Sequence, residues 1–294
     1  MTDLLVASLV RATPLLVLGL AVAIAFRAGI WNMGAEGQFY AGAAIAAWIG
    51  TRWGLDSPLA AATVIPLAAA AGGTLWALVP AWLRARFGVL EVISTIMLNF
   101  VAEHLVGWLV HGPLQESARS YPQSDPIATA ARLGALVDGT RLTWALPLAV
   151  LASAAAWVVL TWTRPGFALR ATGANPVAAE VAGRIRVARV TLVAFLASGA
   201  IAALAGAAEV SGVTFALYER LSPGYGYTAI AVALLARLHP LGLLASALFF
   251  GALEAGAAML QRTAGVPSVT VFAVEALIIL LLVALDRRLR RAGD

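Results

Sequence analysis

Long apolar runs separated by short polar breaks cover most of this chain. Seven runs approach or exceed the roughly 20 residues that a helix needs to cross a bilayer, and they occupy residues 4–26, 58–83, 91–111, 142–162, 190–208, 241–260 and 269–285. Two further runs, residues 39–53 and 228–238, are apolar but short. The pattern predicts one all-α transmembrane domain over residues 1–294, a polytopic helix bundle of about nine crossings with two short or interrupted helices.

Each short run directly follows a polar, glycine-containing break, at residues 32–38 in the first half and 222–227 in the second. Paired interrupted helices in two halves of a membrane protein indicate a transport path. The reason is that irregular backbone at membrane depth persists only where it is buried in protein or lines a cavity. The alternative interpretation is two ordinary loops near the membrane surface.

The composition favours an integral membrane protein and argues against an enzyme. Hydrophobic residues make up 61% of the chain and charged residues 12%, whereas soluble domains contain about 25% charged residues. The chain has no cysteine, its three histidines are scattered, and no nucleophile–base pair is evident. All 20 basic residues are arginine, so the lysine of an ATP-binding P-loop is absent. We therefore expect no cofactor or metal, and any ATP hydrolysis requires another chain.

The arginines are distributed unevenly between the two sides of the predicted bundle. If the basic connection at residues 164–189 is cytoplasmic, alternation of the spans places 13 arginines inside and 7 outside. The inside group is Arg27, Arg84, Arg86, Arg164, Arg170, Arg184, Arg186, Arg189, Arg237, Arg287, Arg288, Arg290 and Arg291. The outside group is Arg11, Arg52, Arg119, Arg132, Arg141, Arg220 and Arg262. Cytoplasmic ends are enriched in positive charge, so the count favours this orientation and explains the net charge of +5 without nucleic acid.

A polar stripe runs along the predicted span 91–111. Glu91, Thr95, Asn99 and Glu103 follow one another at four-residue steps and so share one helix face. Polar groups at membrane depth are costly and usually face a bundle interior or a water-filled cavity, which makes this face a candidate path lining. The alternative places both glutamates at the membrane surfaces and leaves only Asn99 deep, with a single interhelical hydrogen bond.

The connection at residues 164–189 contains the signals of a short capped helix. Asn175 is a good N-cap residue, and Pro176 suits the first helical position. Gly183 can end the helix in the left-handed conformation. Val177 and Val181 lie four residues apart and form a small apolar face. The segment is either a solvated loop with an incidental helix or a docking helix for a cytoplasmic partner.

Three ordered motifs resemble the membrane permease subunits of bacterial ABC importers of the nucleoside and simple-sugar type, which are related to ribose and branched-chain amino acid permeases. NMGAEGQ at residues 32–38 is similar to that family's NIGAEGQ, and LRATGANP at residues 169–176 to its RAVGANP. The third motif is EVISTIMLN at residues 91–99, continued by GPL at 112–114 and YPQS at 121–124. With the GYGY break at 224–227, the resemblance covers most of the chain.

The resemblance implies a bacterial cytoplasmic (inner) membrane protein with several partners. These are cytoplasmic ABC ATPase subunits, a second permease subunit that is a related or identical chain, an extracytoplasmic substrate-binding protein, a small-molecule substrate and the lipid bilayer. The loop 164–189 would dock on the ATPase, and the coupling residues would be Gly173, Ala174, Asn175, Pro176, Val177 and Val181. The expected substrate path comprises Asn32, Glu36, Gln38, Thr95, Asn99 and Glu103.

A nucleoside is the expected substrate, because the motifs at residues 32–38 and 91–95 resemble nucleoside-type permeases more than the ribose type. The alternatives are a permease for a simple sugar such as ribose, or an ion-coupled secondary transporter that uses intramembrane glutamates. Many permeases of this type carry an extra span before the segment that corresponds to residues 11–14. We therefore expect either that this member lacks that helix or that its start codon is placed too late.

Overall fold

The computed structural model describes residues 2–181, 185–264 and 277. Within these residues most of the chain is helical, and irregular segments connect the helices. The helices are α1 (Thr2–Arg27), α2 (Ala35–Arg52), α3 (Pro58–Phe87), α4 (Glu91–His111), α5 (Ala145–Trp162), α6 (Arg164–Ala174), α7 (Pro176–Val181), α8 (Val187–Glu209), α9 (Tyr225–Leu235) and α10 (Gly242–Ala264). A short 3₁₀ turn covers Thr129–Ala131, and α8 continues into a π turn over Val210–Thr214.

The predicted all-α bundle is confirmed. Six of the described helices are long and apolar enough to cross a membrane, namely α1, α3, α4, α5, α8 and α10. The two short predicted segments are α2, which begins four residues earlier than expected, and α9. The ninth predicted crossing, residues 269–285, lies outside the described residues.

Local sequence signals set the ends of the helices, as α3 illustrates. The hydroxyl of Ser57 caps the helix by accepting a hydrogen bond from the Ala60 N–H, and Pro58 occupies the first turn. Gly88 ends the helix in the left-handed conformation, with φ of 66°, which costs glycine little. Arg84 and Arg86 fall in the last turn, where positive charge complements the helix dipole.

Helices α1, α2 and α8 form the centre of the bundle, and small residues bring them together. A β-carbon at Gly42 would overlap the Ala203 backbone, and one at Gly206 would overlap Phe39. Lipid tails are as apolar as leucine, so close van der Waals contact, rather than hydrophobic burial, joins helices in a membrane. The surrounding helices cover α2 so completely that even Glu36 and Gln38 are only 5% and 1% exposed.

Both breaks enter the bundle, which confirms the interrupted helices and rules out surface loops. Both breaks begin earlier than predicted. The first covers residues 28–34 instead of 32–38 and brings Asn32 to Ser198, at the midpoint of α8. The second covers residues 215–224 instead of 222–227 and leads to the start of α9. Helix α9 has 11 residues, or about 16 Å at 1.5 Å per residue, which is half of a bilayer core. Helices α2 and α9 thus both begin near the membrane centre.

Contacts between distant segments show which inter-helix connections lie together at each of the two ends of the bundle. At one end, the Arg27 guanidinium donates a 2.8 Å hydrogen bond to the Leu238 carbonyl, and Gly173 of α6 packs on the Arg27 backbone. At the other end, Arg52 bonds the Pro113 carbonyl at 2.6 Å. This grouping agrees with the two arginine sets. Which end faces the cytoplasm stays a prediction.

Hydrogen bonds order the long connection between α4 and α5. The Ser124 N–H donates to the Leu217 carbonyl at 2.7 Å, which ties the loop to the segment after α8. Glu116 accepts from the Gln123 side chain at 2.6 Å and from the Tyr121 N–H at 2.8 Å. These two bonds, the Gln123 bond foremost, hold the pKa of the Glu116 carboxyl below its ordinary value.

The connection 164–189 is more helical than expected. It is not a loop that carries one short helix, because α6 precedes α7 and starts where the Thr163 hydroxyl accepts from the Gly166 N–H at 3.2 Å. The predicted cap of α7 is confirmed, since Asn175 Oδ1 accepts from the Ala178 N–H at 3.0 Å. Gly183, the predicted helix end, lies outside the described residues.

The orientation can be tested by cysteine labelling, because the native chain has no cysteine. Ser120→Cys probes the end expected outside. Thr172 is only 3% exposed, so the exposed Glu180 is the better site for the cytoplasmic end. We expect an impermeant maleimide to label Ser120→Cys in intact spheroplasts, and Glu180→Cys only after permeabilisation. Labelling of Glu180→Cys from outside would show that the orientation is reversed.

Candidate functional site

Asn32 is the centre of a buried amide cluster in the middle of the bundle. Its Nδ2 donates to Ser198 Oγ at 2.9 Å and to Gln38 Oε1 at 3.1 Å. Its Oδ1 accepts from the Gly34 N–H at 2.9 Å and from Gln38 Nε2 at 3.3 Å. The two amides therefore pair reciprocally, and they connect the first break to both α2 and α8.

Asn99 joins α4 to the same break. Its Oδ1 accepts from the Gly37 N–H at 2.8 Å. Its Nδ2 donates to the Met33 carbonyl at 2.9 Å and to the Tyr227 hydroxyl at 3.3 Å. One side chain thus satisfies backbone groups on either side of the start of α2 and also holds a tyrosine of α9.

Glu36 connects the beginnings of the two interrupted helices. It lies in the first turn of α2, and its Oε2 accepts from the Gly226 N–H, in the first turn of α9, at 2.5 Å. A carboxyl oxygen is a suitable acceptor there because the first N–H groups of a helix have no partner within the helix. Only glycine fits at position 226, since a β-carbon would overlap the Glu36 backbone.

Ser222 completes the start of α9. Its hydroxyl accepts from the Gly224 N–H at 3.0 Å and from the Tyr225 N–H at 2.9 Å. Its own N–H donates to the Tyr40 hydroxyl at 3.3 Å. Gly224 has φ of 104°, a conformation that other residues rarely adopt. The turn from the second break into α9 therefore depends on a serine and a glycine.

Four of the six expected path residues come together here, namely Asn32, Glu36, Gln38 and Asn99. All four are 5% exposed or less, and they bond to one another's helices, so in this conformation they hold the bundle together. Thr95 is 1% exposed and bonds the carbonyl of Glu91 at 2.6 Å. The sixth expected residue, Glu103, is only half-buried.

The remaining acid of the stripe, Glu91, has a structural partner. Its carboxylate accepts a 2.9 Å hydrogen bond from Arg84, in the last turn of α3. The alternative interpretation of the stripe is therefore right for Glu91, which lies at the end of the bundle. It is wrong for Asn99, which makes three hydrogen bonds instead of one.

Sequence reasoning missed several members of this region. Ser198 lies in an apolar stretch that contains no motif. The available signal was that a hydroxyl in the middle of an apolar span needs a hydrogen-bond partner. Ser222 and Tyr227 were visible only as parts of a polar break. Trp31 gave no periodic signal at all, because it precedes α2 in irregular backbone.

Trp31, Glu103 and Tyr227 are partly exposed side chains that each adjoin a member of the amide cluster, and we call these three residues the intramembrane wall. Trp31 is 52% exposed and Tyr227 44% exposed. Trp31 directly precedes the buried Asn32, and Glu103 lies one turn beyond Asn99. The Tyr227 hydroxyl accepts a 3.3 Å hydrogen bond from Asn99, so Tyr227 lies against the face of α4 that carries Glu103. A carboxylate at this depth is expected to face a cavity or a protein partner, because exposure to lipid is costly.

The expected coupling residues lie on α6, on α7 and at Asn175 between them, at the end of the bundle that contains Arg27. A β-carbon at Gly173 would overlap the Arg27 carbonyl, so α6 sits directly on the last residue before the first break. Leu169 of the same helix packs on the cluster that contains Ala28 and Ile30. Val177 and Val181 are 70% and 81% exposed. The apolar face of Val177 and Val181 is therefore exposed, and α6, which precedes it, contacts the first break.

The bundle also contains an apolar cavity of about 520 Å³ between α1, α3, α5 and α8. Alanine, leucine and isoleucine dominate its lining, and Ser211 is the one polar side chain there. A hydrophilic ligand needs several converging polar groups, so this cavity is a poor site for one. Within the described ranges, no three acidic or histidine side chains group together as metal ligands would.

Residues 4–284 match the family model described as branched-chain amino acid transport system / permease component. The chain belongs to this permease family. The match includes both interrupted helices, the amide cluster and the α6–α7 element, so the family assignment covers all of the geometry described above.

Three relatives of this chain are ABC transporter permeases whose names refer to a sugar, to guanosine or to nucleosides. The glucose ABC transporter permease protein TsgB13 of Haloferax volcanii is 39% identical over 285 residues, which are 94% of this chain and 74% of the relative. The guanosine ABC transporter permease protein NupP of Bacillus subtilis is 38% identical over 277 residues (92% and 78%). The nucleoside ABC transporter permease protein NupB of Lactococcus lactis subsp. cremoris is 32% identical over 280 residues (90% and 75%).

The family and the helices together define the protein at a coarse level. It is a multi-pass inner-membrane permease of an ABC transporter, in the group that handles sugars and nucleosides. The ATPase of such a transporter is a separate subunit. The permease assignment replaces the ion-coupled secondary transporter as an explanation of the intramembrane glutamates.

Replacement of Asn99 by alanine should lower the stability and the uptake rate of this permease without preventing its assembly. The change leaves buried backbone groups of Met33 and Gly37 without their partner, and each such loss costs about 1–3 kcal/mol. We expect the Tm of the purified transporter to fall by several degrees and the uptake rate to drop. Ile93→Ala, on the exposed side of the same helix, is the control and should change neither. Native Tm and uptake in Asn99→Ala would contradict the role of the network.

Proposed function

We propose that this chain is the permease subunit of an ATP-driven importer and forms one side of a translocation path for a nucleoside. The observation that supports this best is the intramembrane wall, because exposed aromatic rings and a carboxylate at membrane depth suit a neutral ligand with a flat ring and N–H donors. The names of NupP and NupB, which refer to guanosine and nucleosides, point the same way.

The chemistry near the wall disfavours a phosphorylated substrate. A phosphate site is expected to contain arginine or several converging N–H groups. The polar side chains around the wall and the amide cluster are instead neutral or acidic, namely Asn32, Glu36, Gln38, Ser198, Asn99, Glu103 and Tyr227. Such groups match the hydroxyls and base edge of a nucleoside, or the hydroxyls of a sugar.

A simple sugar is the second candidate. TsgB13, whose name specifies glucose, is as similar to this chain as NupP is. Sugars also carry neutral donors and acceptors and also pack on aromatic rings. The substrate-binding protein of the transporter would supply most of the selection in either case, because a path that bound its cargo tightly would release it slowly.

Transport through this path would require a second permease subunit, either a related or an identical chain. In a single chain the wall is open on one side, and exposure of Glu103 to lipid would be unfavourable. A second subunit facing the wall would enclose a path between the two chains. The expected path residues buried beneath it, Asn32, Glu36, Gln38, Thr95 and Asn99, would support the wall and exchange hydrogen bonds as the helices move.

Coupling to ATP would pass through α6 and α7. The apolar face of Val177 and Val181 would dock on a cytoplasmic ATPase subunit, together with the turn formed by Ala174, Asn175 and Pro176. Movement of this element would be transmitted to the first break, because Gly173 and Leu169 pack on residues 27–30. The chain would thus convert closure of the ATPases into a change at the membrane centre.

Val181→Asp tests the coupling. A charge buried in the ATPase contact without a partner costs several kcal/mol, so we expect at least a tenfold loss of uptake and of substrate-stimulated ATPase activity, with normal insertion. Val137→Asp places the same change on an exposed loop at the opposite end and should preserve both activities. Transport at the native rate by Val181→Asp would exclude α7 as the coupling element.

The substrate can be tested by uptake of radiolabelled compounds into cells that carry this permease with its ATPase, partner permease and binding protein. We expect saturable uptake of guanosine or uridine, but none of leucine. Glucose and ribose are measured in parallel. Sugar uptake without nucleoside uptake would replace the nucleoside by the second candidate and leave the permease assignment intact.

A further inference from the structure

Three side chains of the intramembrane wall present the chemistry that a purine base requires. Trp31 and Tyr227 offer aromatic faces, and both are about half exposed. Glu103 offers a carboxylate on the same face of α4 as Asn99, whose amide bonds the Tyr227 hydroxyl at 3.3 Å. Their depth is fixed by their neighbours, since Trp31 adjoins Asn32, which bonds Ser198 at the midpoint of α8.

The rings of the wall are held in place by the residues behind them. The Tyr227 hydroxyl accepts a 3.3 Å hydrogen bond from Asn99, whose other contacts hold the start of α2. The Trp31 ring lies 4.9 Å from the Phe26 ring, at an interplanar angle of 51°. A pre-positioned ring loses little freedom when a ligand stacks on it, so these contacts favour binding of a flat ligand over a role in lipid contact alone.

We propose that the intramembrane wall recognises the base of the cargo, with Glu103 as the residue that favours guanine. This inference rests on the proposed nucleoside transport and specifies its selectivity. The base stacks on an aromatic face of Trp31 or Tyr227, as bases do on protein aromatic rings. The Glu103 carboxylate then accepts hydrogen bonds from the edge of the base.

The donor pattern of the bases explains the preference. Guanine carries two adjacent donors, N1–H and the N2 amino group, and a carboxylate can accept from both in a bidentate pair. Uracil offers a single N–H between two carbonyl oxygens, which the carboxylate repels. Adenine and cytosine each offer one amino group beside an acceptor nitrogen. Glu103 therefore distinguishes guanosine from the other common nucleosides at the translocation step.

The experiment measures guanosine and uridine uptake by the complete transporter in the wild type and in Glu103→Gln. The binding protein is the same in both, so a changed ratio of the two rates reports on the permease. The glutamine amide turns a donor toward the donors of guanine, and we expect the guanosine to uridine ratio to fall about tenfold. Glu219→Gln, at an exposed site outside the wall, should keep the native ratio.

Three further variants keep the test informative if Glu103→Gln fails to assemble. Glu103→Asp keeps the carboxylate and should retain part of the guanosine preference. Trp31→Ala should lower the uptake of both nucleosides several-fold, whereas Trp31→Phe should preserve it. A native ratio in Glu103→Gln, in a wild type that transports nucleosides, would overturn the assignment of Glu103. Absence of nucleoside uptake by the wild type would overturn the proposed function itself.

Discussion

The fold depends on one constraint, which is that irregular backbone in the middle of a membrane must find its hydrogen bonds within the protein. The start of α2 is such a place, and Asn32 and Asn99 supply what water would supply elsewhere. Their amides bond the N–H groups of Gly34 and Gly37 and the carbonyl of Met33. An unpaired amide in hydrocarbon costs several kcal/mol, so these side chains stabilise the interrupted helix.

The same constraint links the two halves of the chain. Helices α2 and α9 both begin near the membrane centre, and the Glu36 carboxylate bonds the first turn of α9 from the first turn of α2. Each helix start therefore stabilises the other. A buried polar network of this kind has few alternative arrangements, which makes it suited to switching between two defined states rather than deforming continuously.

The position of α6 connects this network to the surface on which we propose that the ATPase docks. Gly173 lies on the backbone of Arg27, which is the last residue before the break that carries Asn32. Small residues allow such close contact between elements, and tight contact transmits displacement because packed interiors are nearly incompressible. Packed elements, namely α7, α6 and the first break, therefore connect the proposed ATPase contact at Val181 with the wall.

The sequence by itself determined the approximate positions of the long membrane-spanning helices, because a span of apolar residues in a bilayer has to be helical. It also located the cap of α7 at Asn175, since capping is a local interaction. It could not show that Glu91 pairs with Arg84 rather than lining a path, or that Ser198 and Tyr227 join the polar cluster. Most of those partners lie far apart in the chain. Only the packing of α2 against α4, α8 and α9 decided which side chains are buried together. The same packing left Trp31 and Glu103 partly exposed.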